Sequence, residues 1–342
     1  MSDDRARLIA TARAEPLWPR PPAWALAFGF AVAAGLLAYP LVITSTFAQH
    51  TMILVFLYAI MAQSWNVIAG LSGQISLGHA MFFGIGAYAV GVLGVKFGIT
   101  PWIGVFVGMF LAVLAAVAVG IPTLRLKGHY FAIATLLIGS SVQIIFQRWD
   151  WVGAASGLFL PLKRGSPWLD MQFHTSKVPY YYLALAAAAL TFLVVWKMRR
   201  NRLGFRLQAL RDDAEAAASL GVDVARYKVF AFMISGAMMA VAGSFYTQYV
   251  LVLDPERVFS VDISIIVVLM TVLGGSGTLW GPAIGAALLV PLSEYSRIWF
   301  GSTGRTVDLM VYGLLIVIIC MWRPAGLLSI FAERMRRRVA PQ

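Results

Sequence analysis

Four ionisable residues fall inside or at the edge of long apolar runs: His79, Asp262, Glu294 and Asp308. At membrane depth such groups are costly to desolvate and are functional candidates. Their spacing does not suit catalysis. No His, Asp, Glu or Cys cluster has metal-ligand or acid–base spacing, and the single cysteine, Cys320, rules out a disulfide within the chain. There is no Gly-x-x-x-x-Gly-Lys-Ser/Thr phosphate loop. Glu294 and Arg297 stand one turn apart on one predicted helix and can satisfy each other. The residues predict a chain that is not an enzyme and carries no metal or cofactor of its own.

The chemistry that remains is hydrogen bonding to opened backbone. "GLSGQISLGHAMFFGIGAY", Gly70 to Tyr88, follows an apolar run of membrane-spanning length. Its glycines allow a turn, while Ser72, Gln74 and Ser76 can satisfy freed backbone groups and His79 can start the next helix. A related stretch, "GGSGTLWG", runs from Gly274 to Gly281. Both read Gly-x-Ser-Gly-polar-aliphatic. Backbone freed from a helix in hydrocarbon leaves unpaired groups at a cost of several kcal/mol each, and persists only where protein or water pairs with it. Two matched breaks are the pattern that marks a binding or conduction site in repeat-built membrane proteins. Gly70, Ser72, Gly73, Gln74, Ser76, His79, Gly274, Gly275, Ser276 and Gly277 are therefore candidates for lining a translocation path. Gly84, Gly86, Gly91 and Gly94 read instead as close-packing positions.

The elements that must hold these breaks are apolar helices. The chain is 60% hydrophobic and 12% charged, against about 25% charged residues in soluble domains. Spans are predicted at 24–44, 51–69, 79–97, 101–121, 129–146, 179–197, 229–251, 262–273, 283–300 and 306–322. The runs at 51–69 and 262–273 stop at the glycine clusters and could be half-helices. The expected fold is thus an all-α polytopic membrane protein of about 8–10 transmembrane helices.

The net charge of +12 is gathered in segments between spans, which argues for topology and lipid headgroups and against nucleic acid. With a cytoplasmic N-terminus, residues 1–23, the link 122–128, the segment 198–228 and the tail 329–342 all fall inside, and each is rich in Arg or Lys. The expected permease domain is 24–328, and no removable signal peptide is apparent. The segment 147–178 falls outside despite Arg148, Lys163, Arg164 and Lys177. Its Trp149, Trp151 and Trp168 are either interface anchors or a platform for an external partner.

The segment "RNRLGFRLQALRDDAEAAASLGVDVARYKVFAF", Arg200 to Phe232, contains a run of good helix formers. It predicts one short surface helix, about Arg206 to Gly221, with Gly221 as its C-terminal stop. Its apolar residues are small, which suits a protein partner better than lipid. Glu215, Ala216, Ala217 and Gly221 spell Glu-Ala-Ala-x-x-x-Gly. This resembles the coupling loop of ABC-importer permeases. Together with the two glycine-rich stretches and "LRLKGHYFAIATL", it makes the chain resemble the branched-chain amino acid permease family over about residues 50–328. Where that family carries Thr-Gly-Gly-x-x-Gly in the external loop, this chain reads "VGAASG", Val152 to Gly157.

The resemblance implies a bacterial inner-membrane subunit. It would pair with a second, related permease, two ATP-binding cassette subunits that bind the ATP, and a periplasmic substrate-binding protein. Arg206, Arg211, Asp212, Asp213, Glu215, Ala216, Ala217 and Gly221 would face the ATPase. The implied activity is uptake of branched-chain or related small amphipathic amino acids by alternating access. The departure at Val152–Gly157 leaves amides, urea and aromatic acids open as substrates. An ion-gradient-driven secondary transporter is the other reading; it would call for paired midplane acids.

Overall fold

A chain in hydrocarbon must satisfy its own backbone, and this one does so almost wholly with helices. The computed structural model describes residues 23–126, 128–162, 165, 167–173, 176–300, Gly313 and Leu327; for 23–28 and 300 it describes the backbone alone. The predicted segment 1–23 (up to residue 22), the span 306–322 with Asp308 and Cys320, and the tail 329–342 lie outside the described residues.

Two units are described separately. The first contains α1 (Ala23–Val42), whose Phe30, Leu37 and Leu41 are exposed apolar side chains of the kind that face lipid. The second begins at Thr46. Its long helices are α2 (Thr46–Trp65, continued by a π turn, Asn66–Gly70), α3 (Ala80–Lys96), α4 (Pro101–Thr123), α5 (His129–Arg148) and α6 (Val178–Arg200). After two short helices come α9 (Val224–Val250), α10 (Pro255–Val258), α11 (Val261–Gly274) and α12 (Gly281–Phe300). The long helices coincide with the predicted spans. Six described helical segments are long and apolar enough to cross a membrane.

Small residues let the helices close on one another. α9 packs against α3 and α4. A Cβ at Gly86 would lie 2.2 Å from the Ala240 carbonyl oxygen, and one at Gly243 would lie 1.9 Å from that of Phe83. Without a hydrophobic drive between helices in lipid, such backbone approach supplies the contact energy. Gly84 and Gly91 press on Phe259 and Leu253, as expected of packing glycines, whereas Gly94 has open space around it. α2 packs on α11 and α12 through Val55, Ala59, Ala62, Met270, Leu273 and Ala286. Phe106, Phe110 and Leu114 on α4, and Ile133, Leu137 and Ile144 on α5, remain exposed as lipid-facing surface.

The predicted external segment forms two short 3₁₀ turns and a strand, β1 (Leu158–Phe159), paired antiparallel with β2 (Val252–Leu253). Gly157 is required at that join: its φ is +74°, and a Cβ would lie 2.0 Å from the Leu253 carbonyl oxygen. Trp149, Trp151 and Trp168 are exposed.

The segment after α6 departs from the single predicted helix. It holds two, α7 (Arg202–Asp212) and α8 (Ala214–Ser219). Asp213 breaks them apart. Its backbone is extended, and its Oδ1 accepts from the Glu215 and Ala216 amides at 2.9 Å. Aspartate at an N-cap competes with helix continuation in this way. Gly221, at φ +84°, ends α8 as expected.

Candidate functional site

Both glycine-rich breaks lie at the arginine-rich end of the helices and touch each other. α2 does not simply stop at Gly70. Its last turn widens to a π turn, Asn66–Gly70, a form often found at functional positions. The Asn66 side chain then bridges to the second break: its Oδ1 accepts from the Gly277 amide at 2.7 Å, and its Nδ2 donates to the Thr278 carbonyl at 2.8 Å. One turn earlier, Gln63 Nε2 donates to the Leu279 carbonyl at 3.1 Å. Asn66 and Gln63 are completely buried.

Two arginines close this joint from the other side. Arg211, on α7, donates from Nη1 to the Gly70 carbonyl at 2.6 Å. Arg199, near the end of α6, donates from Nη1 to the Gly277 carbonyl at 2.7 Å. Charge-assisted bonds of this kind are about twice as strong as neutral ones. The glycines leave no room for anything larger. A Cβ at Gly70 would lie 2.0 Å from Asn66 Oδ1, and one at Gly277 would lie 2.1 Å from Arg211 Nη1. Gly277, at φ +76°, and Gly73, at φ +73°, also need the left-handed region.

The other predicted residues divide between this joint and the packed interior. Ser72 is buried and donates to the Ile68 carbonyl at 2.6 Å; the Gln74 amide donates to the same carbonyl at 3.2 Å. Ser76 and His79 face inward. His79 Nδ1 lies 3.0 Å from Ser76 Oγ and Nε2 lies 2.7 Å from Ser235 Oγ, so both ring nitrogens are used by protein. The first free amide of α3, at Ala80, is capped from α11 by Ser264 Oγ at 2.9 Å. Gly274 packs on the Gly281 carbonyl, where a Cβ would lie at 1.8 Å. Gly275 accepts from Thr278 Oγ1 at 2.7 Å, and Ser276 is exposed.

On α7, α8 and the residue between them, Asp212, Asp213, Glu215 and Ala216 are exposed, whereas Ala217 is buried against the protein with Leu207 and Leu210. Arg206 bonds the Tyr227 hydroxyl and sits over its ring. Arg211, expected among the partner-facing residues, is exposed while its Nη1 reaches the Gly70 carbonyl. Leu220 is 86% exposed, the most exposed large apolar side chain of this segment. Sequence reasoning missed Gln63, Asn66 and Arg199. The signal was available: Gln63, Ser64 and Asn66 are polar residues near the end of an apolar run, where such groups seek protein partners.

At the opposite end a cavity of about 960 Å³ opens between α2, α9, α11 and α12. Its lining includes the charged Asp254, Glu256, Arg257, Asp262, Glu294 and Arg297, together with His50 and the apolar Leu54, Met61, Ile266 and Met270. Arg297 Nη1 lies 3.2 Å from Glu294 Oε1, as their spacing predicted. Along α2 the cavity lining reaches Met61, and every residue from there to Ser72 is buried.

The family described as branched-chain amino acid transport system, permease component, matches residues 47–320. The chain belongs to this family. The permease is 31% identical to the high-affinity branched-chain amino acid transport system permease protein LivM of Escherichia coli (strain K12), over 83% of this chain and 70% of that protein. It is 26% identical to LivH of Salmonella typhimurium over 80% and 91% of the two chains. It is 25% identical to a probable LivM of Methanocaldococcus jannaschii over 83% and 94%. A multi-pass permease that serves an ABC importer accounts for the helical architecture.

Proposed function

We propose that this permease carries branched-chain amino acids, or closely related small amphipathic ones, across the bacterial inner membrane by alternating access. Its energy comes from two ATP-binding cassette subunits docked on α7 and α8. A second, related permease completes the membrane unit, and a periplasmic binding protein delivers the solute. The Arg-rich end is cytoplasmic in this reading, as the distribution of Lys and Arg supports, and both chain termini lie on that side.

The observation that carries the proposal is the pair of bonds from the coupling side into the two breaks, Arg211 to Gly70 and Arg199 to Gly277. Motion of α7 pulls on the end of α2 through Arg211, and motion of α6 pulls on the 274–279 turn through Arg199. The breaks, held together by Asn66, then form the inner closure of the path. Opening that closure while the outer cavity shuts would move the solute inward. Gly70, Ser72, Gly73, Gln74, Gly274, Gly275, Ser276 and Gly277 act here by shaping the closure, and Ser76 and His79 hold the adjoining helix start in place. Asp212, Asp213, Glu215, Ala216 and Leu220 offer the exposed face to the ATPase.

The test is leucine uptake by proteoliposomes holding the complete complex. Uptake requires ATP on the coupling side and loaded binding protein on the other. Uptake driven by a proton or sodium gradient without ATPase subunits would replace this reading with that of a secondary transporter.

A further inference from the structure

The outer cavity is lined by charges of both signs and by aliphatic side chains. Along α2 it reaches from His50 to Met61, about 16 Å at ~1.5 Å per residue. Glu294 is 13% exposed and its partner Arg297 54% exposed, so the carboxylate is held below a more open guanidinium. Asp262, at the start of α11, adds a second carboxylate to the same wall. The same lining holds half-buried aliphatic surface at Leu54, Ile263 and Ile266, and further charges at Asp254, Glu256 and Arg257.

Resting on the proposed transport function, we infer that this cavity is a selection site within the permease itself, and that it reads the zwitterionic head of an apolar amino acid. A zwitterion carries both signs within one head group, and the Glu294–Arg297 pair presents both signs at 3.2 Å. The solute inserts by exchange of partners: its ammonium replaces Arg297 at Glu294, with Asp262 beside it, and its carboxylate takes the freed guanidinium. The number of ion pairs does not fall, so the desolvation that penalises a lone charge is offset. The aliphatic side chain lies against the half-buried Leu54, Ile263 and Ile266, where water is displaced from apolar surface. The cavity is within the size range of small-ligand sites and leaves space for water around an amino acid.

The complete complex in proteoliposomes tests this with radiolabelled leucine. Wild-type uptake is measured first; its absence would overturn the transport reading and this inference with it. Given wild-type uptake, Glu294→Gln lowers the rate about tenfold, the loss of one charge-assisted bond, while ATPase stimulation by loaded binding protein persists. Unchanged uptake overturns the site. Glu294→Gln could also disturb folding, so a second arm modifies the assembled complex. Ile266→Cys, at the cavity wall and in a Cys320→Ser background, is treated from outside with a quaternary-ammonium thiosulfonate. Labelling is expected, with uptake falling and ATPase stimulation retained. Failure to label, or full labelling with unchanged uptake, overturns the inference.

Discussion

Arg211 Nη1 lies 2.6 Å from the carbonyl oxygen of Gly70, although the two residues are 141 positions apart in the chain. The bond joins the end of a membrane helix to a surface helix outside the spans. Arg211→Ala removes the donor and leaves a carbonyl of the π turn without its charged partner, a change worth about 1–3 kcal/mol. Uptake per ATP hydrolysed should fall in proteoliposomes while the ATPase still turns over. Arg226→Ala is the control. That arginine is 80% exposed and pairs with Asp223 on the surface, so its loss costs about 0–1 kcal/mol and leaves the ratio unchanged.

The glycines of the joint should rank by the space around them. Gly70→Ala and Gly277→Ala drive a Cβ to within 2.0 Å and 2.1 Å of neighbouring atoms and should abolish uptake and lower the thermal midpoint. Gly73→Ala meets Arg211 only at 3.4 Å and pays chiefly for its left-handed backbone, about 1–3 kcal/mol. Gly73→Leu and Gly73→Glu should impair uptake without blocking membrane insertion. Gly94→Ala enters open space inside a helix, where alanine is favoured by about 0.5–1 kcal/mol, and should not lower the midpoint. Thermal melting of the purified permease in detergent reads the series.

His79 is expected to hold structure. His79→Ala strands the Ser76 hydroxyl in a fully buried site, at about 1–3 kcal/mol, while Ser235 keeps its bond to the Ser64 carbonyl. Loss of folded protein on size-exclusion chromatography should account for the fall in total uptake, with uptake per folded molecule preserved. A variant that folds normally and does not transport would instead put His79 in the path.

Leu220 offers an apolar contact to a partner. Leu220→Asp should leave the permease folded and reduce recovery of the ATPase subunits on co-purification. Equal recovery with wild type would move the docking surface away from α8.

The helices were legible because hydrocarbon forces one solution on each long apolar run. Even the short run 262–273 corresponds to α11, Val261–Gly274. The joint was less legible. Both breaks were visible as glycine clusters, but their contact depends on Asn66 reaching a residue 211 positions away, and no local spacing encodes that distance. The split at Asp213 was hidden by its helix-forming neighbours, since capping competes with propensity one residue at a time. The two-residue strands at Leu158 and Val252 are too short to show an alternating pattern.

The π turn at Asn66–Gly70 sets two angular phases on one helix. One residue inserted into an α-helix rotates everything beyond it by about 100°, the share of one residue in a 3.6-residue turn. The length of α2 before the turn can therefore stay in register with α6 and α12 while the end of the turn is aimed independently. Deleting one residue between Asn66 and Gly70 would bring the two lengths into a common phase, with the Gly70 carbonyl carried away from Arg211.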